Sequence, residues 1–113
     1  MGAIDIVESS AEMLVLQVKT DGTVLDAADV RRVTDELNRS LNQHPASVVV
    51  VDLSGIVCLS SSVLSELVRS SLEMKRSGRA MRLCCLTPEL LTELRIMRLD
   101  TILNLFETQD DAR

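Results

Sequence analysis

The chain has 113 residues, near the commonest length of one folding domain, and 46% of them are hydrophobic and 26% charged, the composition of a globular chain and not of a disordered or linker-rich one. A formal net charge of -5 and a pI of about 4.8 argue against nucleic acid and anionic membranes as partners, because non-specific binding to either uses clustered positive charge, and no run approaches the ~20 apolar residues of a membrane span. The single aromatic residue, Phe106, leaves the core to aliphatic side chains and offers no stacking platform for bases or sugars.

The amino terminus, Met1-Gly2-Ala3-Ile4-Asp5-Ile6, carries an acid and no basic stretch, unlike a secretory signal. Gly2 lacks the Ser or Thr at position 6 that N-myristoylation prefers, so a cytoplasmic location is expected by elimination. Ile4 to Val7 reads as a short edge strand and Met13 to Val18 as a strand closed by the turn Thr20-Asp21-Gly22-Thr23. Asp26 can cap a helix in which Val30, Val33, Leu37 and Leu41 recur at helical spacing, ending near Asn42 before His44-Pro45. His44 reads as a solvated loop residue. Ser47 to Leu53, with four consecutive valines, predicts a central strand buried on both faces. After Asp52 and Gly55 comes a serine cluster, then a helix with Leu64, Leu67, Val68 and Leu72 on its apolar side, stopped by Gly78. Met81 to Leu86 predicts a strand. Thr87-Pro88-Glu89 is a strong helix start, continued by Leu90, Leu91, Leu94 and Met97. Ile102 to Glu107 reads as a last short strand or a helix start, and Gln109 to Arg113 as a frayed polar tail.

Strands alternating with helices imply an α/β fold: a mixed, mostly parallel sheet of four to five strands flanked by helices, with an antiparallel strand at one edge, formed by one domain over residues 1–113. The four glycines are far apart, so neither a dinucleotide fingerprint nor a phosphate loop exists, and the hydrolase elbow is missing. The one imidazole, His44, belongs to the end of the sheet opposite the serine cluster, against a Ser-His-Asp site. Three cysteines, two of them adjacent at Cys84-Cys85, read as buried free thiols, with no recognised zinc spacing. No cofactor and no metal is expected. A binding or switching module is favoured over an enzyme.

The informative stretch runs from Val51-Asp52-Leu53-Ser54-Gly55-Ile56 through Ser60-Ser61-Ser62-Val63-Leu64-Ser65. It leads from the carboxyl end of the central strand into a helix, where sites form in open α/β sheets. One serine there is explained by capping; three exceed what a cap needs. Phosphate on such a serine would meet the unpaired amides and the positive end of the helix.

The wider pattern resembles the STAS domain family, the anti-sigma-factor antagonists and their relatives. Val49-Val50-Val51-Asp52-Leu53-Ser54-Gly55-Ile56 is similar to the family's apolar strand followed by D-L-S-G-V, and the family's D-S-S-G-L falls on Ser60-Ser61-Ser62-Val63-Leu64. Lys75-Arg76-Ser77-Gly78, Met81-Arg82-Leu83, Thr87-Pro88-Glu89, Leu99-Asp100 and Leu103 to Phe106 continue the resemblance, and Leu25-Asp26-Ala27-Ala28 is similar to the turn into the first helix. The resemblance implies that Ser61 is a phosphoacceptor, and that Asp26, Ser60, Ser61, Ser62 and Val63 belong to a partner-binding end. It also implies an anti-sigma factor that is a GHKL-type serine kinase as partner, with a phosphatase that reverses the modification. The sequence departs from the family at Ser60, where the family has an acid, at Val63, where it has glycine, and at Ser65. Those departures are features of the alternative, a non-phosphorylated scaffold or accessory subunit of a lipid or anion transport system.

Overall fold

The computed structural model describes residues 4–10, 12–18, 27–57 and 59–113, with residues 27–30 as backbone. The expected turn at 20–23, Asp26 and Cys58 lie outside the described residues. Two strands, β1 (Ile4–Ser9) and β2 (Met13–Val18), pair antiparallel, with a bulge between Ile6 and Glu8. Helix α1 (Ala27–Gln43) leads to β3 (Val48–Asp52), α2 (Ser61–Arg76) to β4 (Ala80–Cys84), and α3 (Pro88–Ile96) to the short β5 (Asn104–Phe106). The sheet order is β1-β2-β3-β4-β5, and β2 to β5 run parallel.

That order fixes where the helices go. Each crossover adds the next strand on the same side of the last one, and right-handed crossovers then put every connecting helix on one face. Val33 and Leu37 of α1, Leu64, Leu67 and Met74 of α2, and Leu90 and Leu94 of α3 accordingly share one buried cluster with Leu14, Leu16, Val49, Val51, Met81 and Leu83 of the sheet. Strand side chains alternate between faces, so Val15, Val50 and Cys84 point the other way. The valine run is central and buried on both faces, as its continuity predicts.

The opposite face would be bare without the carboxyl terminus, and here the expected frayed tail is corrected. Residues Gln109–Ala112 form a short helix, α4, with Thr108 as N-cap accepting from the Asp111 N–H at 3.0 Å. Ala112 is fully buried against Val15, Val50 and Cys84. Arg82 donates to the Ala112 and Arg113 carbonyls at 2.9 and 3.2 Å, and Arg113 pairs with Glu8 at 2.7 Å. The reason is geometric: with α1 to α3 all on one face, two buried valines need a cover, and the polar-looking tail contains the one small side chain that fits.

Local signals act as expected at two helix ends. Gly78, at φ +77, follows α2; its N–H donates to the Lys75 carbonyl at 3.2 Å and that of Arg79 to the Met74 carbonyl at 2.7 Å, the paired bonds of a Schellman stop. Thr87 caps α3 with Pro88 in its first turn. His44 is a half-buried loop residue: its Nδ1 lies 3.2 Å from the Ser9 hydroxyl and its carbonyl accepts from Arg79 at 3.0 Å. It sits where β3 begins, at the edge of the sheet away from the serine loop.

Candidate functional site

The loop from β3 into α2 is anchored along its length. Asp52, 4% exposed, accepts from the Ser54 N–H at 2.8 Å and the Ser54 hydroxyl at 2.5 Å, and its second oxygen accepts from Gln109 Nε2 at 2.7 Å. Gly55, at φ +80, takes the left-handed position of a turn closed by the Ile56 N–H donating to the Leu53 carbonyl at 3.1 Å. Leu53, Ile56 and Leu59 are buried in the core under the loop. Thr87 fixes it from the side: its hydroxyl donates to the Ile56 carbonyl at 2.8 Å and accepts from the Leu90 N–H at 3.2 Å.

The serine cluster divides its labour. Ser60 is the N-cap of α2, extended at φ -67 and ψ 159, and its hydroxyl accepts from the Val63 N–H at 3.3 Å. Ser61 and Ser62 open the helix. Both are exposed, and neither hydroxyl has a protein partner among the described residues. A helix leaves its first amides unpaired. Ser60 takes up that of Val63, which leaves those of Ser61 and Ser62 to solvent or to an anion. The first turn of α2 holds no acid, so nothing on it offsets the positive end of the helix.

From Ser61 an apolar groove of about 520 Å³ runs between α2 and the end of α3, lined by Ser65, Val68 and Leu72 on one side and Met97 and Leu99 on the other. Leu72 and Met97, expected on buried faces, are 46% and 44% exposed. The physical reason is that α2 carries two apolar stripes. Val63, Leu67 and Met74 face the sheet, while Leu64, Val68 and Leu72, at i, i+4 and i+8, run along its flank. Arg69 on the groove wall is held between Glu66 and, at 3.0 Å, Glu73.

Of the sequence-derived site residues, Ser60, Ser61 and Ser62 come together at this helix start. Val63 is 2% exposed and packs into the core, so its side chain faces inward. Asp26 lies outside the described residues. The groove was not anticipated, although the second stripe was present in the spacing of Leu64, Val68 and Leu72. Beneath the loop, Cys84 is fully buried and the Cys85 thiol donates to it at 3.4 Å. Burial pushes the Cys84 thiol well up from its ordinary value, and the neighbouring Cys85 and Asp52 add to the effect. No described helix is long and apolar enough to cross a membrane.

The family model described as the STAS domain matches residues 6–112. No curated protein matches the chain. Among solved structures, an anti-sigma-factor antagonist (STAS) domain protein from Planctomyces limnophilus is similar at 20% identity with a TM-score of 0.82, over 99% of this chain and 95% of that one. The anti-sigma factor antagonist SpoIIAA in its unphosphorylated form is similar at 14% identity and a TM-score of 0.74, over 97% and 92%. The Bacillus cell fate determinant SpoIIAA in the phosphorylated form matches at 14% identity and 0.68, over 97% and 96%.

Proposed function

The chain belongs to the STAS domain family, and on that premise we propose that it is an anti-sigma factor antagonist that works by binding, not by catalysis. Its partner is an anti-sigma factor that is also a GHKL-type serine kinase. Phosphorylation of Ser61 ends the binding, a phosphatase restores it, and the cycle regulates sigma-factor-dependent transcription in the cytoplasm. The partner-facing surface comprises Ser60, Ser61 and Ser62, together with Asp26 and the backbone at Val63, and extends along the apolar groove.

One observation carries the reading. Ser61 is exposed with a free hydroxyl at the start of a 16-residue helix, while its neighbour Ser60 does the capping. A phosphate on Ser61 would therefore leave the cap intact, meet unpaired first-turn amides, and add about -1.5 to -2 charge beside the groove. The existence of SpoIIAA in phosphorylated and unphosphorylated forms supports a switch of this kind in a similar fold. The alternative, a non-phosphorylated scaffold or an accessory subunit of a lipid or anion transport system, is favoured by Ser60 and Val63, which stand where the family has an acid and a glycine.

The test is phosphopeptide mapping of the protein taken from its native cells with its co-purifying partners. Phosphate on Ser61 together with a kinase-type partner is the expected result, and Ser61→Asp should weaken that partner's binding at least about tenfold, or 1.4 kcal/mol. An unmodified serine run under every growth condition, with a transporter ATPase as partner, would replace the switch by the alternative.

A further inference from the structure

We propose that Asp52, Cys84 and Cys85 form a binding site for a thiophilic divalent cation, Zn2+, at the carboxyl edge of β3 and β4. Parallel pairing sets Asp52 directly beside Cys84, so their side chains leave the sheet on the same face. Cys85 would point to the opposite face if the strand continued. It does not: its backbone turns left-handed at φ +62, a conformation that residues other than glycine adopt rarely. The turn brings its Sγ to 3.4 Å from that of Cys84. Two sulfurs and a carboxylate oxygen thereby lie within 4.8 Å of one another.

The dimensions suit zinc. Two sulfurs each about 2.3 Å from a tetrahedral Zn2+ lie about 3.8 Å apart, so the thiols need to separate by only a few tenths of an ångström. Two soft sulfurs with one carboxylate select zinc over Mg2+ or Ca2+, which take oxygen ligands. The outer partners that orient ligands in metal sites are already present: Ser54 holds one oxygen of Asp52 and Gln109 the other. Cys84 and Asp52 are buried while Cys85 is half-exposed, which gives the ion an entry side and leaves the fourth position to solvent. On binding, two S–H bonds are replaced by two Zn–S bonds and two protons leave to water; nothing is oxidised or reduced.

Metal-free, reduced protein titrated with Cd2+ or Co2+ as optical probes, and with Zn2+ in competition, tests the site. One ion per chain should bind with a thiolate-to-metal charge-transfer band. Cys85→Ser should remove about half of that band, and Asp52→Asn, which keeps the size of the side chain, should retain the band but weaken binding at least about tenfold. Cys84→Ala serves as a second thiol variant and Cys58→Ser should change nothing, with far-ultraviolet circular dichroism checking that each variant is folded. Absence of the band at equimolar ion, a band abolished by Cys58→Ser, or one ion shared by two chains would each overturn the proposal.

Discussion

Replacing Ser60 and replacing Ser61 by alanine should have clearly different effects on stability, although the two residues are adjacent and chemically identical. Loss of an N-cap hydroxyl costs about 0.5–2 kcal/mol. The Ser60 bond to the Val63 N–H, at 3.3 Å, is at the long end of hydrogen-bond geometry, which points to about 1 kcal/mol. The first turn it holds carries Val63 and Leu64, both in the core, so fraying there also exposes apolar surface. For a chain of this size 1 kcal/mol corresponds to a melting-temperature loss of about 4 °C. Ser61 makes no comparable bond, and alanine is the better helix former, so Ser61→Ala should stay within about 0.5 kcal/mol of the parent. Urea and thermal unfolding of the two variants, followed by circular dichroism, measure the difference. A Ser61→Ala loss equal to or larger than the Ser60→Ala loss would refute the assignment of the cap, and with it the claim that the Ser61 hydroxyl is free for modification.

Thr87→Ala removes the cap of α3 and strands the Ile56 carbonyl, so it should cost about 2–3 kcal/mol in urea unfolding; a loss under about 1 kcal/mol would mean that the loop does not depend on this tie. Ala112→Glu forces a charge against Val15, Val50 and Cys84 and should cost several kcal/mol or detach α4, visible as lost amide protection at residues 112 and 113; unchanged protection and melting would show that α4 does not cover that face. Stability should also fall in alkali. The folded chain holds the Cys84 proton above the ordinary value of 9.0, so below pH 9 both states are protonated and nothing is lost. Above it the unfolded chain releases a proton that the folded one keeps, and stability declines by up to about 1.4 kcal/mol per pH unit. Cys84→Ala should flatten that decline in reducing buffer, and an unchanged slope would remove Cys84 as its source.

The alternation of strands and helices, the antiparallel first strand and the central valine run were all legible, because each rests on a local pattern: period-two or continuous β-branched runs, helical spacing, a capping threonine before a proline, a glycine after a helix. What escaped the sequence depended on contacts between distant segments. The last five residues look polar and unstructured until the sheet behind them is seen to lack a cover; only the one-faced placement of α1, α2 and α3 explains why Ala112 is buried. The inward turn of Val63 and the outward turn of Leu72 have the same origin. A helix with six apolar positions, Val63, Leu64, Leu67, Val68, Leu72 and Met74, shows that a face exists, but not how much of it the sheet occupies. The three serines looked equivalent in sequence, and the backbone geometry at Ser60, not composition, separates the cap from its free neighbours. The resemblance implies Ser61 as acceptor; the free hydroxyl and the groove beside it are visible only in the folded chain.

Parallel strands in consecutive order send every strand's carboxyl end, and every following helix's amino end, to one edge of the sheet. That edge carries Asp52, the serine loop and the Cys84-Cys85 pair, so a partner docked there reads charge placed at the start of α2. This geometry gives Ser61→Asp a signature that damage to the fold cannot imitate. A carboxylate in the first turn of a helix that has no acid there should stabilise it by about 0.3–1 kcal/mol, while the same charge repels an acidic or apolar partner surface. Stability and partner affinity should therefore move in opposite directions in that one variant. A protein that melts higher yet binds more weakly would tie the loss to the interface; one that melts lower and binds more weakly would point to a damaged helix and remove Ser61 from the surface that the partner reads.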